Sequence, residues 1–479
     1  VTWGIPDDFG GMTGAMLHRS RAFVRLAGVP VDILTFDARP DYPAVEQRLR
    51  EHHELIDGMR LLNLYEWLRA NPSESGSLDL EKHQFTPLAA DPAFVSARRG
   101  ASELSRTRYA ADGSTALQVD HYREDGTLLL SDRRDSRTPG TLDGRALVLC
   151  DAAGRPVRSF GGIWGLYRYW IDLVRDGEPS FMIVDSKTIA NSMLTYRRKR
   201  AVTMHVVHSS HLSGTVRPLG KLRESRRGVF ENLEGFDSVV LLTERQRQDI
   251  VELLGPTPNL VVVPNGRDQS GAIAPLERPV GRGVVLAGLT SRKRVAHALK
   301  ALAAARFPEA GDLSLDVYGD GEERGALEAL RDELDLGGVV AFHGHQPGAR
   351  AQLADASFLL LTSTSEGFPL VLIEAMAAGC IPIAYDVPYG PADIIRDGRN
   401  GFLVPPGDQA ALAEAIAKLQ GMPPRRVTRM RRDARRAASA FSDLAVTRAW
   451  ATAMHQAESR KATEWRRFRP AVSNGRRKP

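Results

Sequence analysis

The sequence predicts an α/β fold of two Rossmann-like halves facing each other, with a small antiparallel β insertion in the first. Three observations predict it. Short apolar strands alternate with helical stretches through both halves, the habit of parallel sheets covered by helices. Between about 76 and 160 the period changes to two and hairpin turns appear. The chain has 479 residues, more than one ordinary core organises.

Taken in order, residues 1–75 read as a loop, a helix with apolar residues at helical spacing over 15–26, and a short buried strand, VDILTF at 31–36. In the insertion, RYAADGSTALQVDHYREDGTLLLSD and ALVLCDAAGRPVRSF alternate in type. They are broken by Asp112-Gly113, Asp125-Gly126 and Ala153-Gly154, which are hairpin signals. A helix over 164–174 follows, then the strands FMIVD, VTMHVVHSSH, SVVLLT and NLVVVPNG. The second half repeats the pattern with GVVLAGL, LSLDVYGDG, VVAFHGH, SFLLLTSTSEGFP and IPIAYD. The expected organisation is 1–75 with 161–265 as the first Rossmann-like domain, 76–160 as the insertion and 266–440 as the second. Residues 441–479 are a helix returning to the first domain plus a basic tail.

Composition narrows the class. Hydrophobic residues make up 43% and charged residues 25%, which is globular rather than disordered. No run of 18 apolar residues occurs, and Asp7 and Asp8 stand where a secretory leader would need a basic end. A cytoplasmic location is expected. Cys150 and Cys380 sit in unrelated apolar settings, so neither a disulfide framework nor a zinc site is expected. The net charge of +6 is concentrated in RRVTRMRRDARR (425–436) and the final twenty residues. Such runs suit anionic surfaces, membrane lipid, polyphosphate or nucleic acid; a solvated helix face and a disordered tail are the plainer reading. No aromatic–basic interleaving supports nucleic-acid binding.

Open parallel sheets bind ligands at the carboxyl ends of their strands. That rule marks 208–211, 319–321 and 363–369. The sharpest feature is SEGFPLVLIEAMAAG, 365–379. Glu366 stands at a strand end, Gly367, Phe368 and Pro369 make the turn, and Glu374 lies one or two turns inside the helix. A helix start offers free N–H groups and a positive dipole end to a diphosphate, and glycine lets the backbone come close. Glu366 can accept bonds from sugar hydroxyls and Glu374 from a ribose diol. Glu366 can also be read as a helix cap and Glu374 as a surface acid, but an acid inside LVLIEAMAA needs a partner. Asp8 to Gly14, DFGGMTG, is a glycine loop before a helix, and it is not a Walker A loop.

The spacing of Glu366 and Glu374 resembles the E-x7-E motif of retaining GT-B glycosyltransferases of family 4. EGFPLVLIEAMAAGCIPIA and DGRNGFLVPPGD are similar to that family's donor-site segment. Together with HSSH, VPNG and YDVPYGPADII they resemble the poly(glycerol-phosphate) α-glucosyltransferase group. The resemblance implies a GT-B fold and transfer of glucose or N-acetylglucosamine from a UDP-sugar, with retention. The implied acceptor is a teichoic-acid-like polymer or a glycoprotein. No metal or other cofactor is implied, and homo-oligomeric assembly is left open.

The resemblance also implies roles. Glu366 would meet the donor sugar and Glu374 the ribose. The backbone of Gly367, Phe368, Pro369 and Leu370 would surround the sugar and phosphates. His208 would stand near the reacting centre, with His211 as runner-up and His205 a structural histidine. Gly10 and Gly11 would abut the diphosphate, Gly319 and Gly321 the nucleotide, and His343 to His345 the base. In LAGLTSRKRVAHAL the family's Arg is replaced by Gly288, while Lys293 is kept. Arg292 or Arg294 could substitute, since an Arg fork suits phosphate. If these charges begin a helix, neighbours point about 100° apart, so Lys293 and only one flanking Arg would face the phosphates. The alternative is a non-catalytic GT-B chain that binds an acceptor or a partner glycosyltransferase.

Overall fold

A computed structural model of the chain describes residues 1–214, 216–268, 275–305 and 313–467. They fall into two compact units, residues 1–10 with 28–202 and residues 11–27 with 203 onward. Helix α1 (Gly11–Ala27) therefore belongs to the second.

In the first unit, β1 (Val31–Thr35) and β2 (Met59–Asn63) pair in parallel and are joined by α2 (Tyr42–Glu51). Asn63 ends β2 and caps α3 (Leu64–Ala70), its side-chain oxygen accepting from the N–H groups of Tyr65 and Glu66. This satisfies donors that a helix start leaves without partners. Six strands follow: β3 (Val95–Arg99), β4 (Ser102–Tyr109), β5 (Ala116–Tyr122), β6 (Leu128–Arg133), β7 (Ala146–Cys150) and β8 (Pro156–Phe160). Each is antiparallel to the next and lies beside it, the meander that the hairpin signals predict. At the turns Gly113, Gly126 and Gly154 take positive φ. Asp112, Asp125 and Asp151 accept from the N–H two residues on. α4 (Ile163–Arg175), β9 (Ser180–Val184) and α5 (Lys187–Met193) complete the unit, with Trp170 of α4 wholly buried edge-on to Phe36.

In the second unit, β10 (Ala201–Val207), β11 (Ser238–Leu241) and β12 (Leu260–Val262) pair in parallel, with α6 (Glu224–Phe230) and α7 (Glu244–Leu254) between them in the chain. The other sheet contains β13 (Arg282–Leu286), β14 (Ser314–Tyr318), β15 (Val340–Gly344), β16 (Phe358–Leu361), β17 (Ile381–Tyr385) and β18 (Phe402–Val404). Its order is β15-β14-β13-β16-β17-β18, all parallel. Every residue of β16 and β17 is buried, as expected of strands covered on both faces. The connecting helices are α8 (Val295–Ala305), α9 (Arg324–Glu333), α10 (Leu370–Ala377), α11 (Pro391–Ile394) and α12 (Gln409–Gln420). The strand order reverses between β13 and β16, and the crevice at such a switch point is where open α/β sheets bind ligands.

Two helices close the described chain, α13 (Pro424–Ala438) and α14 (Asp443–Arg467). Trp450 of α14 packs edge-on against Phe23 of α1, and His18 of α1 lies 2.6 Å from Asp443. The basic run on α13 divides between two faces, a solvated one and one turned inward. Arg425, Arg426, Arg429, Arg432 and Arg436 are exposed. Arg431 is fully buried and donates to the carbonyls of Leu276, Arg278 and Pro279 and to the Ser357 hydroxyl, while Arg435 reaches the Ala378 carbonyl. The basic tail from 468 lies outside the described residues. Both cysteines are buried and unpaired. Among the described residues no helix is long and apolar enough to cross a membrane.

Candidate active site

The two loops that leave the switch point, 287–294 after β13 and 362–369 after β16, meet. The first is not a helix start. Ser291–Lys293 form a single 3-10 turn and Arg294 adopts a left-handed conformation, φ 46, before α8 begins at Val295. The alternative in which these charges simply begin an α-helix does not hold. The carbonyl of Arg292 accepts from the Thr364 N–H at 2.8 Å and that of Lys293 from the Thr362 hydroxyl at 2.9 Å. The turn is thereby fastened to the end of β16.

This places Lys293 Nζ 2.6 Å from Glu366 Oε1, with both side chains largely buried. Arg292 lies on the same side, donating to the Ser365 carbonyl at 3.1 Å and standing 3.8 Å from Glu366. Arg294 turns elsewhere: its guanidinium lies beside Gly407, at 3.6 Å from where a side chain there would begin. Of the two arginines left open by the sequence, only Arg292 shares the Glu366 corner.

Glu366, Gly367, Phe368 and Pro369 lead into α10, whose start carries no side-chain cap. Gly367 is pressed against the His208 carbonyl, which stands 2.0 Å from where a Cβ would lie. The sequence thus needs glycine there for backbone packing. The same contact brings the end of β10 to the Glu366 turn. His208 is half-buried at that strand end. His205 is buried and stacked on Phe236. His211 is fully buried between Phe230 and Tyr389, and neither ring nitrogen has a hydrogen-bond partner. Burial pushes its pKa down to about 4, so it is neutral near pH 7.

Glu374 has the partner its apolar setting demands. Arg267 donates to Oε1, and Arg350 stands 3.6 Å away. Both arginines escaped the sequence reading: Arg267 directly follows VPNG, and Arg350 lies in a 3-10 helix, Ala349–Ala354, far along the chain. Gly319 and Gly321 interlock with the 287–289 loop. A Cβ on either would fall 1.9 Å from the Ala287 carbonyl or 2.4 Å from that of Leu289. At Gly288 a Cβ would meet only the Asp320 carbonyl, at 3.8 Å. His343 pairs with Asp316 at 2.7 Å and stacks on Tyr318. Leu370 opens α10, and Gly10 and Gly11 have open space on their Cβ side. Among the described residues no group of His, Cys, Asp and Glu could hold a metal ion.

The fold and this crevice define a GT-B protein. Over 94% of the chain superposes on 98% of a crystal structure of Staphylococcus aureus TarM in complex with fondaparinux, α-GlcNAc-glycerol and UDP, with a TM-score of 0.74 at 19% identity. Residues 284–438 match the family model described as glycosyl transferases group 1. The poly(ribitol-phosphate) α-N-acetylglucosaminyltransferase of Staphylococcus aureus is 22% identical over 86% of this chain and 90% of its own. An exopolysaccharide phosphotransferase of Streptomyces coelicolor is 34% identical over 52% of this chain, which spans about a quarter, 26%, of that relative's length.

Proposed function

We propose that the chain is a glycosyltransferase that moves a hexose, glucose or N-acetylglucosamine, from a UDP-sugar to a cell-envelope polymer of the teichoic-acid kind, with retention and without a metal. A glycoprotein is the second acceptor class. The observation that carries the reading is the Lys293–Glu366 pair at the start of α10, with Arg292 beside it. The TarM complex and the group 1 match support it.

In this reading Glu366 accepts bonds from donor hydroxyls, and Glu374, oriented by Arg267, receives the ribose. Leaving-group charge develops on the diphosphate. Lys293, Arg292 and the uncapped amides of α10 are fixed there in advance, which is how a preorganised site lowers a barrier. Glu366 and Glu374 do not form a glycosidase-like carboxylate pair: Glu366 is occupied by Lys293 and Glu374 by Arg267. The acceptor hydroxyl then attacks on the face from which the diphosphate leaves, its proton passing to a phosphate oxygen. His208 at the end of β10 borders that corner.

A non-catalytic chain is not favoured. That alternative rests on Gly288 in place of arginine, and Arg292 brings a guanidinium to the Glu366 corner. The test is turnover of UDP-glucose and UDP-N-acetylglucosamine on polyol-phosphate acceptors, by wild type and Glu366→Ala, with and without excess EDTA. Turnover by wild type alone, unaffected by EDTA, is expected. Equal turnover by Glu366→Ala removes Glu366 from the site, and loss in EDTA restored by Mg²⁺ or Mn²⁺ overturns metal independence.

A further inference from the structure

The segment YDVPYGPADII leads from the end of β17 into α11. In the structure the backbone of Glu366 is hydrogen-bonded to both Pro388 and Tyr389 of this segment. The Glu366 N–H donates to the Pro388 carbonyl at 3.1 Å, and the Tyr389 N–H donates to the Glu366 carbonyl at 2.9 Å. The position of the Glu366 backbone is therefore set by whatever holds Tyr389.

Tyr389 is held unusually firmly for a loop residue. Its side chain is fully buried. Its hydroxyl donates to Asp249 Oδ2 on α7 at 2.7 Å. Arg217 donates to both oxygens of the same carboxylate, and its guanidinium lies 5.1 Å from the centroid of the Tyr389 ring. His211 stacks on the ring at 5.8 Å with an interplanar angle of 18°. Loop 386–393 is fastened to α7 at two further points: Arg245 pairs with Asp386, and the Arg245 N–H donates to Asp393. On its other side the loop touches the Glu366 turn. At Gly390 a Cβ would lie 2.4 Å from Pro369 Cδ, so loop and turn have no slack between them.

Packing alone does not need the phenol. A phenylalanine has nearly the same shape, and a buried Arg–Asp pair is weak evidence of a stability device, because desolvation offsets much of its attraction. What the hydroxyl adds is a directional bond that fixes the ring, and with it the 388–389 backbone on which Glu366 rests. We infer that Tyr389, anchored by Asp249 and Arg217, is a positioning residue that holds Glu366 in register with Lys293. This rests on the reading of Glu366 as the donor-sugar contact. A misplaced Glu366 impairs the sugar's approach to its transition state more than it impairs binding of the nucleotide, because small misplacements of a catalytic group are costly to rate.

The experiment compares Tyr389→Phe, Asp249→Asn, the double variant and Glu366→Ala with wild type. Transfer at saturating UDP-sugar gives kcat, titration calorimetry gives UDP affinity, and thermal denaturation reports the fold. Tyr389→Phe should lower kcat about tenfold and leave the Kd for UDP within twofold. Asp249→Asn should behave alike, and the double variant should be no slower than the worse single one, as for two residues acting through one bond. Should Tyr389→Phe fail to fold, Asp249→Asn carries the test, since it keeps an oxygen acceptor and the side-chain volume. A kcat within twofold of wild type, or a kcat loss matched by an equal loss of UDP affinity, overturns the inference. Glu366→Ala separates the two failures. If it is inactive while Tyr389→Phe matches wild type, only the positioning role falls. If it turns over like wild type, the reading of the site falls and this inference with it.

Discussion

Lys293 stands where two demands meet. It balances a nearly buried carboxylate, and in the proposed reaction it also faces the leaving diphosphate. Among the described residues, removing it leaves Glu366 with the more distant Arg292 as its cation. Lys293→Ala should therefore lower kcat/KM by about 10²–10³, the size seen for one lost oxyanion donor, roughly 3–4 kcal/mol. Arg292→Ala should cost less, about tenfold, and Arg294→Ala almost nothing, since only Arg292 shares the Glu366 corner. Steady-state kinetics of the three variants check this, and equal losses for Arg292 and Arg294 would contradict the geometry. At Gly288 the nearest atom to an added Cβ is at ordinary contact distance, 3.8 Å. Gly288→Arg should then be tolerated and should tighten UDP binding severalfold by calorimetry. An unchanged Kd would mean that Arg292 already meets the need.

At the scale of elements, the Glu366 turn is squeezed from two sides, by the His208 carbonyl against Gly367 and by Gly390 against Pro369. Gly367→Ala puts a methyl 2.0 Å from that carbonyl. A backbone atom cannot rotate away, so β10 and the start of α10 must separate. The expected cost is about 1–3 kcal/mol, as for other overpacking changes, together with loss of donor turnover. A melting curve and an assay on the same sample test it, and wild-type values in both would mean that the turn has room it does not show. The hairpin turns at 112–113, 125–126 and 153–154 were legible because a turn pair ending in glycine announces each of them locally. The 3-10 turn at 291–293 was not legible. It is decided by bonds from Thr362 and Thr364, about seventy residues away in the chain.

At the scale of the molecule, two buried histidines couple stability to pH. Burial holds His121 down to about 3, with nearby Arg69 adding to it, and His211 down to about 4. In the unfolded chain both titrate near 6.5. Between pH 6.5 and about 4 the unfolded state thus binds more protons than the folded one, and stability falls as pH falls. The slope reaches up to about 1.4 kcal/mol per pH unit for each histidine. Denaturant unfolding at pH 7, 6, 5 and 4 should show this decline, and His121→Phe, which keeps a ring against Tyr65, should flatten it. A variant with the wild-type slope would show that His121 is not the group responsible.

By itself the sequence determined the alternation of strands and helices, the meander of hairpins and the Glu366–Glu374 segment, because each is written in neighbouring residues: apolar period, turn pairs, a glycine before a helix. It also required a partner for Glu374, because an acid in an apolar helix cannot stand alone. Only the tertiary structure decided that the partners are Arg267 and Arg350, that Arg292 rather than Arg294 joins Lys293, and that Arg431 turns inward from a run that reads as solvent-facing. It alone brought Tyr389 and Asp249, 140 residues apart, behind Glu366. The physical reason is common to all four. Charged groups find their partners through space, at strand ends brought together by a parallel sheet whose crossovers separate those ends in the chain by dozens of residues, and no local pattern records which end meets which.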